Sequence, residues 1–263
     1  MKYSLVIPAY KEEGRVTDTA ARLTGALTPR WGEDYEILFV SDGSPDGTWD
    51  EIRALTDPHV VPLGYPDNRG KGHAVRYGML RARGEFCVFC DCDLAYGIEA
   101  VVELFSRLAS GEPVCVASRR IHPEGYVGYS RFRRFLSGGY YRMLRLLTGI
   151  RASDSQSGLK GFSAEAARRI FSLCSVDGFA FDLEVLMLAD RMGFPVSEMP
   201  AKIEQNSDSS IRLRDVFRMT RDVLRIKKRI KKLTPADLSK APADPGTVPS
   251  APAAPSADPP APD

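Results

Sequence analysis

An α/β fold with a mainly parallel central sheet flanked by helices is predicted for this 263-residue chain by two observations. First, short runs rich in β-branched and aromatic residues alternate with segments whose apolar residues recur at helical spacing. Second, unusual polar and glycine-containing segments follow directly after several of these runs. The alternation is typical of a parallel sheet covered by helices, in which ligands bind at the carboxyl ends of the strands.

The elements of the first half are predicted in order along the chain. Two segments between the strands have helical spacing, at residues 13–27 and 74–83. The length suits one large domain followed by a tail. The five predicted strands are Tyr3 to Ile7, Tyr35 to Val40, Val60 to Leu63, Phe86 to Cys90 and Val114 to Ala117.

Composition excludes several classes of protein. The 36 Lys and Arg nearly balance the 34 Asp and Glu, so a uniformly basic nucleic-acid binder is not indicated. The five cysteines are an odd number, three of them within residues 87–92, which argues against a secreted disulfide framework and favours a reducing cytosol. The start turns acidic before any signal-like apolar stretch, and no run of about 18 apolar residues occurs. We expect a cytoplasmic protein.

Three domain segments are predicted: a catalytic domain over 1–210, a basic amphipathic helix over 211–233 and a disordered tail over 234–263 that is rich in Pro and Ala. The helix carries ten Lys or Arg residues from Arg212 to Lys232, which suits an anionic membrane surface. A second segment, around residues 131–147, mixes Arg with Phe, Tyr and Leu. Both segments predict peripheral attachment to the inner face of a membrane; the alternatives are an ordinary helix packed on the sheet and a solvated basic face.

Asp91 and Asp93 end the fourth predicted strand and form the strongest local motif. Paired carboxylates at a strand end suit a hard divalent ion that keeps water ligands and bridges substrate phosphates. The alternative is that one acid caps the next helix. The neighbouring cysteines have no close His partner and are interpreted as small buried hydrophobic residues, so no zinc site is predicted.

Three further segments follow strands, at residues 8–13, 40–48 and 68–73. Each is compatible with an ordinary turn or helix cap. The third, Asn-Arg-Gly-Lys-Gly-His, places glycines and basic residues at a helix N-terminus, where a phosphate binds well. Its glycine spacing does not match a Walker A loop, and no GxGxxG motif is present.

Taken in order, the segments IPAYKEE, VSDGSPDGT, NRGKGHAVRYGMLRARGE and CDCDLA resemble the motifs of inverting family 2 glycosyltransferases with the GT-A fold. In the second half, SRR at 118–120, RRFLS at 133–137, DSQSGLKGF at 154–162 and FAFDLE at 179–184 resemble enzymes that transfer a sugar to a polyprenyl phosphate. The dolichyl-phosphate β-glucosyltransferase branch is the most similar. The likeness spans Lys2 to about Arg229.

The resemblance implies a nucleotide-sugar donor held by a divalent ion, Mg²⁺ or Mn²⁺, on Asp91 and Asp93. The family commonly has Asp where Ser41 stands, which leaves the base open. Ala95 replaces a Gln of the mannosyl branch, which favours UDP-glucose over GDP-mannose. The donor-binding residues that the resemblance implies are Pro8, Tyr10 and Glu12 in the nucleotide pocket, Ser41 and Asp42 facing base and ribose, and Lys71 and Asp91 at the diphosphate.

Inverting transfer of a hexose to dolichyl or undecaprenyl phosphate is the predicted reaction. A phosphate acceptor is already ionised and needs positioning cations more than a general base. Arg119, Arg133 and Arg134 are the candidates to hold it, because guanidinium groups match phosphate oxygens. Asp154 and Gln156 are predicted on the acceptor side. The predicted catalytic set is Asp91, Asp93, Arg119 and Arg134.

Several functions besides lipid-phosphate glycosylation stay open from the sequence. A family 2 enzyme that acts on a sugar hydroxyl would need a carboxylate base, for which Asp154 or Asp182 would serve. Asp182 and Glu184 are predicted, with Asp154 and Gln156, in a donor-sugar or acceptor-side wall without individual roles; the alternative for Asp182 and Glu184 is a buried network. A GDP-mannose-dependent mannosyltransferase and a non-enzymatic sugar-nucleotide-binding protein are two more candidates. The sequence is also compatible with a membrane-protein partner, whereas the absence of a recognised motif argues against nucleic acid.

Overall fold

The computed structural model describes residues 1–125, 142–203 and 213–239. The strands are β1 (Tyr3–Ala9), β2 (Tyr35–Asp42), β3 (Val60–Tyr65), β4 (Phe86–Cys90), β5 (Val114–Ser118), β6 (Leu159–Ser163) and β7 (Val196–Pro200). The helices are α1 (Val16–Trp31), α2 (Thr48–Ala54), α3 (Lys71–Met79), α4 (Ile98–Ala109), α5 (Ala164–Leu173), α6 (Phe181–Arg191), α7 (Leu213–Lys231) and α8 (Pro235–Ser239). A helical segment also covers residues 142–148.

All seven strands form one sheet in the order β3-β2-β1-β4-β6-β5-β7. The neighbours β3, β2, β1 and β4 are parallel, and β7 is parallel to β5. Strand β6 is antiparallel to both β4 and β5, with Leu159 opposite Cys90. The start of β6 therefore lies at the same edge as the carboxyl ends of β1, β2 and β4. The predicted mainly parallel sheet is confirmed, and all five predicted strands are present.

Helices cover both faces of the sheet. On one face, Val6 and Leu38 pack in a core with residues of α3, α5, α6 and α7. On the other face, Leu5 and Phe39 pack with residues of α1, α2 and α4. This alternation follows from the two-residue period of a strand, and the burial of both apolar faces is the main stabilising contribution to the domain.

Helix boundaries differ from the sequence prediction at two places. The predicted helix over 13–27 begins only at Val16, after two residues with positive φ, Lys11 at 58° and Gly14 at 80°. The predicted helix over 74–83 instead runs from Lys71 to Met79. The motif residue Lys71 is consequently the first residue of a helix and not part of a loop.

The basic helix predicted over 211–233 contains α7 (Leu213–Lys231). Its side chains Val223, Ile226 and Ile230 are buried in the core that they share with α6. The described part of this helix therefore packs on the domain through one face. Residues 211 and 212, and residues 131–141 of the second basic segment, lie outside the described residues.

The tail predicted to be disordered over 234–263 begins with the short helix α8 (Pro235–Ser239). Thr234 and Asp237 cap it reciprocally, since the backbone N–H of each donates to the side chain of the other at 2.8 and 3.2 Å. Arg169 also donates to the Leu238 carbonyl at 3.2 Å. These contacts give local order to five residues whose composition predicts none; residues 240–263 lie outside the described part of the chain.

Candidate active site

Asp91 and Asp93 lie in a tight turn directly after β4. The Leu94 N–H donates to the Asp91 carbonyl at 3.0 Å, and Leu94 adopts a φ of 50°, which is unusual for a residue other than glycine. The Asp93 carboxylate accepts a hydrogen bond from the Ala95 N–H at 3.0 Å. The turn holds both carboxylates at the carboxyl edge of the sheet, as the sequence predicts.

Lys71 forms an ion pair with Asp91. Both side chains are partly exposed, at 23% for Lys71 and 35% for Asp91. Burial lowers the pKa of Lys71, but the carboxylates of Asp91, Asp182 and Asp93 outweigh burial, so the net pKa lies above its usual value. Lys71 is therefore held in its charged form beside the paired acids.

Gly158 completes this wall of the site. A Cβ built on Gly158 would lie 2.2 Å from Oδ2 of Asp91 and 2.8 Å from its Cγ. Only a residue without a side chain allows the Asp91 carboxylate to rest against the start of β6. Sequence reasoning included this glycine in a motif but gave it no role.

Asp42 is buried and holds the loop before α3. Its carboxylate accepts hydrogen bonds from the Tyr65 hydroxyl at 2.8 Å, the Asn68 amide at 3.0 Å, and the Arg69 and Gly70 N–H groups at 2.9 Å each. The protein itself therefore engages both oxygens of the residue that the resemblance places at the ribose. This arrangement gives Asp42 a positioning role for the loop that leads to Lys71. The neighbouring Ser41 is buried, at 2% exposure.

The loop after β1 lies across from these acids. The N–H groups of Lys11 and Glu12 donate to Ser44 at 3.2 Å and Thr48 at 2.9 Å, which ties this loop to the start of α2. The Glu12 carboxylate pairs with Arg15. Burial raises the pKa of Glu12, the charges of Asp93 and Asp91 raise it further, and Arg15 only partly offsets this. Glu12 is thus a third acidic side chain at this edge, and its pKa is affected by the charges of Asp91 and Asp93.

Of the other two residues predicted for the nucleotide pocket, Pro8 lies within β1 and Tyr10 is 42% exposed just beyond it. The exposed Tyr10 ring stands at the carboxyl edge with the acids. An aromatic ring in this place offers a flat surface on which a nucleotide base can stack.

On the acceptor side, Arg119 binds Asp154 in a two-point contact. The guanidinium Nε donates to Oδ2 at 2.6 Å and Nη2 donates to Oδ1 at 2.8 Å. Burial raises the pKa of Asp154, but the hydrogen bonds and charge of Arg119 outweigh it, so the pKa lies below its usual value. The Asp154 carboxylate is therefore ionised and orients the Arg119 side chain.

The remaining acceptor-side predictions are only partly placed. Gln156 lines a small cavity with Leu144, Phe179 and Val223. This cavity lies between α7, the start of α6 and the helical segment at 142–148. Arg133 and Arg134 lie outside the described residues.

A buried pair lies behind Lys71. The Lys160 amine is fully buried in β6, where it contacts Asp182 and donates to the Ser157 carbonyl at 2.5 Å. Burial lowers the pKa of Lys160 and raises that of Asp182, and their mutual attraction offsets this only in part. Sequence reasoning gave Lys160 no role, because the strand that buries it was not among the predicted ones.

Glu184 has a structural environment. Its carboxylate accepts hydrogen bonds from the N–H groups of Ser175 at 2.9 Å and Val176 at 2.8 Å and pairs with Arg229 of α7. It thereby joins the loop before α6 to the basic helix. For Asp182 and Glu184, the contacts match the buried network that the sequence left as an alternative.

The acids at the edge fit a divalent ion that is shared with a ligand. Among the described residues, no cluster of three or more His, Cys, Asp or Glu side chains is arranged to enclose a metal. Two partly exposed carboxylates instead suit an ion that takes its other ligands from water and substrate phosphates. When bound, such an ion supplies positive charge to a departing diphosphate.

Comparison with known proteins matches residues 4–171 to the glycosyl transferase family 2 model, which is more than half of the chain. The chain belongs to glycosyl transferase family 2. It is 33% identical to a dolichyl-phosphate beta-glucosyltransferase of Trichomonas vaginalis, over 82% of this chain and 68% of that protein. It is 30% identical to the dolichyl-phosphate beta-glucosyltransferase of Saccharomyces cerevisiae, over 80% of this chain and 69% of that one.

Among solved structures, glucosyl-3-phosphoglycerate synthase from Mycobacterium tuberculosis, in complex with Mn²⁺, UDP and phosphoglyceric acid, superposes with a TM-score of 0.60. The match covers 89% of this chain and 79% of that one at 20% identity. This likeness shows the fold. The GT-A-type domain, the family resemblance and the assignment as a glycosyltransferase are thereby confirmed. Among the helices of the described residues, none has the length and apolar character needed to cross a bilayer.

Proposed function

We propose that this family 2 enzyme transfers glucose from UDP-glucose to a polyprenyl phosphate with inversion, using Mg²⁺ or Mn²⁺ held by Asp91 and Asp93. The observation that carries the proposal is the turn after β4, which holds the two carboxylates beside Lys71 at the carboxyl edge of the sheet. The similarity to dolichyl-phosphate beta-glucosyltransferases supports the lipid acceptor.

The charged residues at the carboxyl edge of the sheet each have a role in the proposed reaction. In inverting transfer, negative charge accumulates on the diphosphate oxygen that leaves the anomeric carbon. Asp91 and Asp93 would hold the ion, which would supply positive charge to this diphosphate, and Lys71 adds a positive charge of the protein itself. The loop that Asp42 fixes keeps Lys71 at the start of α3. Arg119, oriented by Asp154, is the described cation that we assign to the acceptor phosphate.

The charge state of Asp154 favours a phosphate acceptor over a sugar hydroxyl. A general base works best when its pKa lies near the operating pH. Arg119 engages both oxygens of Asp154 and brings its pKa below the usual range. Burial raises the pKa of Asp182, but this side chain is only 5% exposed and is paired with Lys160, so a sugar hydroxyl has no open path to it. Neither carboxylate therefore suits the role of a base, whereas an ionised phosphate requires none.

The choice of UDP-glucose as donor rests on observations other than those that favour the acceptor. Ala95 stands where the mannosyl branch has a Gln, which favours UDP-glucose. The structural neighbour from Mycobacterium tuberculosis was crystallised with UDP, and the similar curated proteins are named glucosyltransferases. A comparison of donors in one assay decides this point.

The decisive experiment measures transfer of radiolabelled sugar into extractable undecaprenyl or dolichyl phosphate. UDP-glucose, UDP-N-acetylglucosamine and GDP-mannose are compared with Mg²⁺ present. We expect product from UDP-glucose, and its loss in Asp93→Ala. Asp18→Ala, which removes an exposed acid from α1, serves as the matched control and should retain activity. No lipid product from any donor, with a sugar hydroxyl accepted instead, would refute the proposal.

We further propose that the enzyme acts peripherally on the inner face of a membrane, in contact with the lipid acceptor proposed above. Leu146 is 85% exposed in the helical segment at 142–148, and Leu224 is 51% exposed on α7. Around Leu146, three arginines line an open cleft, Arg142, Arg145 and Arg151. Exposed leucines bordered by arginines suit the boundary between acyl chains and anionic headgroups.

Cosedimentation with vesicles tests this attachment. Wild-type protein should bind vesicles that contain anionic lipid and bind neutral ones weakly. The double variant Arg142→Glu/Arg145→Glu should lose most of this binding. Arg22→Glu/Arg53→Glu, at exposed positions on α1 and α2 at the opposite face of the sheet, is the charge-matched control. Equal binding by both variants would contradict the proposed surface.

A further inference from the structure

Lys71 already places a positive charge on the carboxylate that is assigned to the metal. Its amine contacts Oδ1 of Asp91, and the other oxygen of that carboxylate rests against Gly158. A divalent ion that binds Asp91 therefore has to displace the Lys71 amine or share the carboxylate with it. Since both are cations, sharing is opposed by their mutual repulsion.

The backbone at Lys71 is fixed, so only its long side chain can adjust. Asp42 holds the N–H groups of Arg69 and Gly70. The Gly72 N–H donates to the Asp177 carbonyl at 2.7 Å, and a Cβ on Gly72 would lie 2.5 Å from the Val176 carbonyl oxygen. The start of α3 is thus clamped on both sides, while the flexible Lys71 side chain reaches the edge of the site.

Release of Lys71 from Asp91 does not leave its charge uncompensated. Asp182 at the start of α6 is the second carboxylate that stabilises the charged form of Lys71. A diphosphate bound at the edge offers further negative charge. The amine therefore has other partners within the site once a metal occupies Asp91.

We propose that Lys71 is a resident counter-cation that makes metal and nucleotide bind together. Without donor, it neutralises Asp91 and weakens the binding of free metal. When a metal and a nucleoside diphosphate arrive together, the Lys71 amine leaves Asp91 available to the metal and passes to the diphosphate. The inference rests on the metal-bound donor proposed above, and it goes beyond that proposal by assigning Lys71 opposite effects on metal binding with and without nucleotide.

Because Lys71 should weaken metal binding without nucleotide and strengthen it with nucleotide, the proposal can be tested without measuring sugar transfer. Free Mn²⁺ is titrated by electron paramagnetic resonance against wild-type protein and Lys71→Met, with and without UDP. In Lys71→Met, the affinity for Mn²⁺ alone should rise about fivefold, the scale of one partly exposed ion pair. The affinity for Mn²⁺ in the presence of UDP should fall about tenfold, because the contact with the diphosphate is lost. The coupling between the two ligands therefore falls by about fiftyfold.

Two controls accompany the titration. Lys2→Met removes the lysine that directly precedes β1, at the edge of the sheet opposite to the acids, and should leave both affinities unchanged. Thermal unfolding of Lys71→Met and of a second variant, Lys71→Gln, verifies that each is folded. If both variants bind Mn²⁺ alone as wild type does, or more weakly, Lys71 is only a diphosphate ligand or a structural partner of Asp91, and the inference is wrong.

A negative result in the Mn²⁺ titration and a negative result in the transfer assay refute different proposals. Absence of lipid product would overturn the proposed acceptor but would leave the Mn²⁺ and UDP affinities as a valid test of Lys71. Conversely, an enzyme that makes the lipid product while Lys71→Met shows no gain in affinity for free Mn²⁺ would refute only the counter-cation role.

Discussion

Gly158→Ala should disable the proposed metal site while leaving the fold intact. The new Cβ would lie 2.2 Å from Oδ2 of Asp91, so the carboxylate has to withdraw by more than 1 Å to reach about 3.5 Å, ordinary van der Waals separation. Misplacing a catalytic group by about 1 Å costs on the order of 100-fold in rate. The backbone of Gly158 does not adopt positive φ, so alanine adds no strain of its own.

The stability change should be small because Asp91 is partly exposed and can rotate toward solvent. An off-rotamer side chain costs about 1 kcal/mol, which sets the expected decrease in the free energy of unfolding. The assays are sugar transfer as a function of Mn²⁺ concentration and urea unfolding followed by circular dichroism. We expect the Mn²⁺ concentration that gives half-maximal transfer to rise and the maximal rate of transfer to fall about 100-fold.

Gly161→Ala, three residues further along in β6, is the matched control. Its Cβ would lie 2.0 Å from Cδ2 of Leu104 and 2.8 Å from Cδ1 of Leu108, both side chains of the core. Overpacking of this kind costs about 1–3 kcal/mol of stability but does not touch the acids. Gly158→Ala with wild-type rate and metal dependence would refute the reasoning that Asp91 acts from its observed position.

Three further predictions concern other parts of the chain. Arg119→Met strips the buried Asp154 of its ion pair and should lower the free energy of unfolding by about 3 kcal/mol at neutral pH in urea denaturation. Since Arg119 outweighs burial and lowers the pKa of Asp154, wild type keeps this stabilisation until the pH falls through that lowered pKa, and the difference between the proteins should shrink in acid. Asp42→Asn loosens the loop before α3 and should weaken UDP binding about tenfold by calorimetry, with the fold retained. Gly25→Ala, at an exposed helical position with open space around its Cβ, should raise the free energy of unfolding by about 0.5–1 kcal/mol in the same denaturation assay.

The parallel half of the fold was predictable because three of its strands, β1, β2 and β4, are mostly apolar runs buried on both faces. Strand β6 was missed since Lys160 and Gly161 interrupt its apolar pattern. Both residues are explained only by neighbours distant in sequence: Lys160 contacts Asp182 of α6, and Gly161 accommodates Leu104 of α4. Sequence patterns treat a lysine as a surface residue unless its partner is known.

In the candidate site, too, the sequence predicted the positions of residues but not their contacts with residues distant in sequence. Asp91, Asp93 and Lys71 were found because each follows a strand whose carboxyl end lies at the ligand-binding edge. Their pairing was not predictable, since it depends on how far each side chain reaches across the edge. The same holds for Arg119 and Asp154, which are 35 residues apart and meet only once β6 is inserted between β4 and β5. A motif therefore indicated where the acids and arginines lie, but not which of them the protein already pairs.

The pairings suggest how a site rich in acids stays folded before its ligands arrive. Uncompensated carboxylates at a partly buried edge would repel one another and destabilise the domain. Lys71 faces Asp91 and lies in the field of Asp182, which in turn contacts the buried Lys160. The negative charges that suit a metal and a diphosphate are thus balanced by lysines of the protein itself, and of these two Lys71 is the one that reaches the exposed edge. A ligand that carries both a metal and a diphosphate replaces this balance with its own charges, so we expect the intact pair of ligands to bind in preference to either one.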